Sequence, residues 1–142
     1  MKKVRILSCI LLTCILSGLL CMGASARSSN YLDLYGIVLT PQRGEKIVIT
    51  IDVDGVRSMT QIGATTIFLY ESTNGTDFTR IKTYNYEDYP TMMGSGKHFC
   101  EDAVTYKGVA GRYYYAIGYC YAGDSTGHDE QSYTTSVVKA IQ

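Results

Sequence analysis

An all-β fold is predicted for this chain, a sandwich or small barrel of about seven short antiparallel strands. Three observations predict it. Runs rich in β-branched residues and tyrosine are separated by turn chemistry at Pro41-Gln42-Arg43-Gly44, Asp54-Gly55, Asn74-Gly75 and Lys107-Gly108. In residues 46–53, Ile47, Ile49, Ile51 and Val53 alternate with Val48, Thr50 and Asp52, the period-two pattern of a strand with one buried face. No stretch after Ala26 keeps a helical period over three turns.

The N-terminus belongs to a different class. Lys2, Lys3 and Arg5 form a short cationic region, residues 6–22 are apolar, and Ala24-Ser25-Ala26 has the small-x-small form that signal peptidase accepts. The apolar run is about 17 residues, at the low edge for a membrane span, and no basic stop-transfer cluster follows it. Leu20 before Cys21 does not suit a lipid-anchoring site. The expectation is a cleavable signal peptide over residues 1–26 and one secreted, extracellular domain over residues 27–142, with no membrane attachment after cleavage. Removing three cations and no acid turns a formal charge of zero into −3. A mildly acidic domain without a basic cluster is not built for nucleic acid.

Cleavage also changes the cysteine count. Cys9, Cys14 and Cys21 leave with the signal, so two of the five cysteines remain, Cys100 and Cys120. In an oxidising compartment an even pair predicts one disulfide, worth about 3 kcal/mol for a loop of roughly 20 residues. With His98 the two thiols have no recognised metal-ligand spacing.

In order, the predicted strands are residues 31–40, 46–53, 65–71, 78–86, 99–106, the tyrosine run from Val109 to Gly123, and 132–140. Residues 56–63 read as a polar connection able to hold a short helical turn. Asn74-Gly75 sits in a polar hexad between two strand runs, the strongest short hairpin signal, because both positions tolerate positive φ. Asn74-Gly75-Thr76 also spells a glycosylation sequon, but the turn explains the residues. Residues 87–98 read as irregular, since Pro90, Gly94 and Gly96 oppose a central strand. Residues 123–131 read as a polar loop.

Strand order, the Asn-Gly hairpin and the entry Val109-Ala110-Gly111-Arg112 into the tyrosine strand resemble a fibronectin type III or immunoglobulin-like β-sandwich. That resemblance implies a corner tyrosine among Tyr113, Tyr114 and Tyr115. With Met59-Thr60-Gln61-Ile62-Gly63-Ala64 and Met93-Gly94-Ser95-Gly96, the chain also resembles a group of small secreted Gram-positive bacterial proteins of unknown function. Neither likeness names an activity. In the sandwich, Cys100 and Cys120 would lie on strands of opposite sheets and their bond would cross the core. Cys120 would then point inward with Tyr114, Ala116, Gly118 and Ala122, leaving Tyr113, Tyr115, Ile117, Tyr119 and Tyr121 outside. The opposite assignment would bury more aromatic area.

Candidate chemistry is sparse. His98 has Glu101 and Asp102 nearby, and His128 has Asp124, Asp129 and Glu130, yet solvated loop residues explain both sets. Asp52-Val53-Asp54-Gly55 is a fragment of a calcium loop, and residues 124–130 could offer carboxylates, but neither is a complete ligand set. No cofactor is expected, nor a catalytic residue. Thirteen tyrosines and no tryptophan are more informative. Tyrosine makes rigid amphipathic contact surfaces, and it also simply suits strands. Residues 54–64, 87–98 and 123–131 could cluster as recognition loops, the middle one carrying Tyr89, Met92 and Met93. The function expected is a non-catalytic binding or adhesion domain that recognises an extracellular protein or glycan through Tyr115, Tyr119, Tyr121, Tyr89, Met92 and Met93. The alternatives are a small secreted enzyme using His98 or His128, and a self-associating extracellular structural component.

Overall fold

A computed structural model describes residues 29–142; the expected signal peptide, with Cys9, Cys14 and Cys21, lies outside the described residues. Seven strands follow in order: β1 (Leu32–Gln42), β2 (Lys46–Ser72), β3 (Thr79–Asn85), β4 (Met93–Lys107), β5 (Tyr113–Asp124), β6 (Gly127–Thr134) and β7 (Val138–Lys139). A single 3-10 turn, Pro90–Met92, precedes β4. All pairings are antiparallel and join into one sheet, which curls into a half-barrel.

The 27-residue β2 explains why there is one sheet and not two. Its first half lies between β1 and β4, with Ile51 opposite both Ile37 and Asp102. Its second half lies between β5 on one side and, on the other, the start of β4 followed by β3. The register against β4 breaks between Asp54 and Met59, where the extra residues of β2 let the strand turn a corner. At that corner the Val56 N–H leaves the ladder and donates to the Tyr31 carbonyl at 3.0 Å.

Residues 56–63 are therefore strand, not the polar connection expected. Met59 and Ile62 plug the core from this stretch. Because β2 pairs on both sides of the corner, all seven strands join one curled sheet, and two separate sheets are not seen. Gly63 is required here: its φ is +148°, and a Cβ on it would stand 2.0 Å from the Met92 carbonyl oxygen.

The concave side holds the core. Ile47, Ile49, Ile51 and Val53 are fully buried, as their alternation predicts. Each contributes roughly 1.5–3 kcal/mol of burial. Ile67 and Leu69 continue the stripe beyond the corner. From β5 come Tyr114, Ala116, Gly118, Cys120 and Ala122, all buried. The small-residue face of the tyrosine strand thus points inward. Its reason is the close approach of β1: a Cβ at Gly118 would lie 2.2 Å from Ile37 Cδ1. A face of large rings would hold β1 away from β5 and leave Ile37 without its seat.

Tyr114 is the exception on that face, and it fills the corner role. Its hydroxyl accepts the Val109 N–H at 2.9 Å and donates to Glu71 Oε2 at 2.5 Å. Arg112 pairs with the other Glu71 oxygen. Burial, then the bond to Glu71, pushes the Tyr114 phenol up to about 12.

Other expectations shift. Residues 87–98 are only partly irregular, because β4 begins at Met93 and carries Gly94 and Gly96 in its first residues. Residues 123–131 are not a loop: Asp124 pairs with Gly127 across a two-residue turn, and Asp124 Oδ1 accepts the Thr126 N–H at 2.8 Å. The last predicted strand ends at Thr134 and resumes only for Val138–Lys139. The Asn74-Gly75 turn stands where expected, with Ser72 Oγ accepting the Gly75 N–H at 2.9 Å and Asn74 Oδ1 the Asp77 N–H at 2.9 Å.

The expected disulfide is absent, since Cys100 and Cys120 are free, buried thiols. The expectation needed β4 and β5 to face each other from two sheets. Both instead hydrogen-bond to β2, Cys100 opposite Val53 and Cys120 opposite Ala64, on either side of the corner. The Cys100 thiol turns to the Met92 carbonyl at 3.6 Å. Burial raises both thiols, Cys120 to about 12.

Candidate interaction face

With the small side of β5 inward, its tyrosines other than Tyr114 occupy the convex side, and the register of β2 completes the surface. Tyr70 stands opposite Tyr115, Phe68 opposite Ile117, and Thr66 opposite Tyr119. Tyr121 pairs with Glu130 of β6. The result is one half-buried aromatic field across β2, β5 and β6, edged by Phe78 and Arg80 at β3.

The rings pack on each other. Tyr70 and Tyr115 stack with centroids 4.7 Å apart and planes 3° from parallel. Phe78 meets Tyr115 edge-on at 4.8 Å, and Phe68 meets Tyr119 edge-on at 6.0 Å. The Arg80 guanidinium covers Phe68 at 4.9 Å, and His128 stacks on Tyr121 at 5.4 Å. Each aromatic pair of this kind contributes about 0.5–1.5 kcal/mol beyond area burial. Burial, then the neighbouring Tyr70, raises the Tyr115 phenol. Each of these stacks covers one face of a ring: Tyr70 and Tyr115 cover one another, His128 covers Tyr121 and Arg80 covers Phe68.

The three stretches expected to cluster do meet, though as strands. Gln61 of β2 pairs with Ser95 of β4 on one side and Gly123 of β5 on the other. Arg57 at the corner bonds Asp124 at 2.8 Å and lies over the Tyr31 ring at 5.2 Å. Bonds from Thr126, then Arg57, hold the Asp124 carboxyl at about 2. Tyr115, Tyr119 and Tyr121 share the convex face. Tyr89 does not: it meets Tyr84 at 5.0 Å on the concave side. Met92 is fully buried and Met93 half-buried opposite Gly63, so Met92 is a core plug and not a contact residue. Sequence reading left Phe68, Tyr70, Phe78, Arg80 and His128 out of the site. The alternation of Phe68 and Tyr70 with Ile67 and Leu69 is a signal for the outward face, but only the pairing with β5 shows that these two join the tyrosines.

His98 is exposed on β4 and His128 is engaged with the Tyr121 ring. Among the described residues no group of three or more His, Cys, Asp or Glu side chains is arranged to hold a metal. No protein-family model and no curated protein matches the chain.

Proposed function

We propose that this chain is a secreted, extracellular, non-catalytic binding domain whose partner is a protein, and that the convex aromatic field is the contact surface. The observation that carries the reading is how the rings are packed. A sugar ring laid on an aromatic platform needs an open ring face. Here Tyr70 and Tyr115 each cover one face of the other, His128 covers one face of Tyr121 and Arg80 one face of Phe68, so less open ring face is left for a sugar. The edges and hydroxyls that remain suit backbone and side-chain partners across a flat interface, where tyrosine and arginine dominate binding energy. The rings are also locked before any partner arrives, so little rotamer entropy is lost on docking.

The test compares the purified protein with a Tyr70→Ser/Tyr115→Ser variant, both immobilised, against fractionated extracellular proteins and a glycan array. The expected result is a saturable protein ligand that the double variant binds at least about tenfold more weakly, a change of about 1.4 kcal/mol, with folding retained by circular dichroism. Binding to glycans alone, or equal binding by the two proteins, would overturn the reading.

A further inference from the structure

The concave side has a second candidate site, independent of the aromatic field. β3 and β4 each pair only with β2 among the described residues, and their outer edges border a groove of about 480 Å³. Lys82 and Tyr84 line it from β3, Tyr89 and Thr91 from the connection, and residues 103–107 from β4. Five consecutive residues of one strand can line a groove only if the strand presents its backbone edge as well as a face. That edge is about 17 Å long.

The hydrogen-bond phase of the edge follows from one bond. The Gly108 N–H donates to the Glu45 carbonyl at 2.7 Å, and the register from Lys46↔Lys107 to Asp54↔Phe99 is unbroken. In an antiparallel ladder bonded and non-bonded pairs alternate. Tyr106 and Val104 therefore direct their backbone groups to β2, and Ala103, Thr105 and Lys107 direct theirs into the groove. Such an edge is a template for another strand.

The side chains select what that strand carries. Lys82 lies over the Tyr84 and Tyr89 rings, 5.5 and 5.9 Å from their centroids. Neither Lys82 nor Lys107 has a carboxylate partner among the described residues, and no acid lines the groove. Beneath them, Tyr84, Tyr106 and Val104 form an apolar floor. No hydrogen bond to a described residue engages the Tyr84, Tyr89 or Tyr106 hydroxyls, which are left to a ligand.

We propose that the groove between β3 and β4 is a strand-addition site for an extended peptide segment with carboxylate side chains. The peptide backbone pairs with Ala103, Thr105 and Lys107, alternate apolar side chains rest on Tyr84 and Tyr106, and the carboxylates meet Lys82 and Lys107. A glycan acid or free anion would use the lysines but not the periodic backbone donors.

The probe is a soluble peptide of alternating glutamate and valine, added to the isotope-labelled protein and followed by amide chemical shifts. Saturable shifts centred on Ala103, Thr105 and Lys107 are expected. Thr105→Pro removes an outward N–H and no ladder bond, so it should fold and abolish binding. Lys82→Ala should weaken binding at least tenfold, and a peptide N-methylated at alternate amides should not bind, which keeps the test decisive should Thr105→Pro fail to fold. Equal binding by the N-methylated peptide, a lysine–valine peptide or a sulfated oligosaccharide would overturn the proposal, as would the absence of saturable shifts at millimolar peptide.

Discussion

Replacing Tyr114 by phenylalanine removes one oxygen from the corner and leaves the ring in place. That oxygen accepts one backbone N–H and donates to one carboxylate. A neutral bond contributes about 1 kcal/mol and a bond to a charged group about 1.5–3. Val109 is partly exposed, so water replaces its lost partner, and Glu71 retains Arg112. The expected loss at pH 7 is about 2–3 kcal/mol. A pH signature separates this bond from general packing. Because the folded phenol sits near 12 and an unfolded one near 10, its contribution is complete below pH 10 and is lost as pH rises through 12. At pH 11 about 1.4 kcal/mol of it is gone. Tyr84, also pushed up to about 12, chiefly by burial, is common to both proteins and cancels in the difference. Urea unfolding of wild type and Tyr114→Phe at pH 7 and pH 11 should therefore show a gap that narrows by about 1.4 kcal/mol. Tyr113→Phe, whose ring meets Lys139 by its face at 5.1 Å, should change stability by less than about 0.5 kcal/mol at either pH. A gap below about 0.5 kcal/mol for Tyr114→Phe at pH 7, or one that does not narrow at pH 11, would refute the corner assignment.

Two further outcomes test the curl and the thiols. Gly63→Ala forces a methyl onto a carbonyl at a positive φ and should cost at least about 3 kcal/mol, whereas Gly36→Ala, with nothing within 4 Å of its Cβ, should stay within about 1 kcal/mol; equal midpoints for the two variants would contradict the β2–β4 geometry. Cys100 and Cys120 should resist iodoacetamide in the native protein and take up one equivalent each in denaturant without reductant, read by mass spectrometry. A disulfide-linked Cys100–Cys120 peptide in a non-reduced digest would contradict the free thiols.

The strand class and much of the concave core were legible because period-two alternation reports burial directly. Ile47 to Val53 could face a core in only one way, and Asn74-Gly75 could do little but turn. Which face of β5 turns inward stayed open in the sequence: the disulfide that favoured the small-residue side is absent, buried area favoured the other side, and the close approach of Ile37 to Gly118 decides it. The corner of β2 was not readable. Residues 56–63 are polar by composition, and what makes them strand is pairing with β4 from Met59 and with β5 from Gln61, a long-range fact that local propensity does not encode.

The same limit applies to the candidate sites. Tyrosines could be assigned to an outward face, but which rings cover them depends on strand pairing, as with Tyr70, 45 residues from Tyr115. Composition and alternation by themselves determined an all-β chain with an isoleucine-lined core and an excess of tyrosine. Tertiary pairing alone decided that the strands form one curled sheet, that Cys100 and Cys120 lie on either side of its corner, and that β3 and β4 are left with open edges among the described residues. The physical reason is that burial is written into each residue's own chemistry, whereas register is a choice among pairings that only the whole sheet resolves.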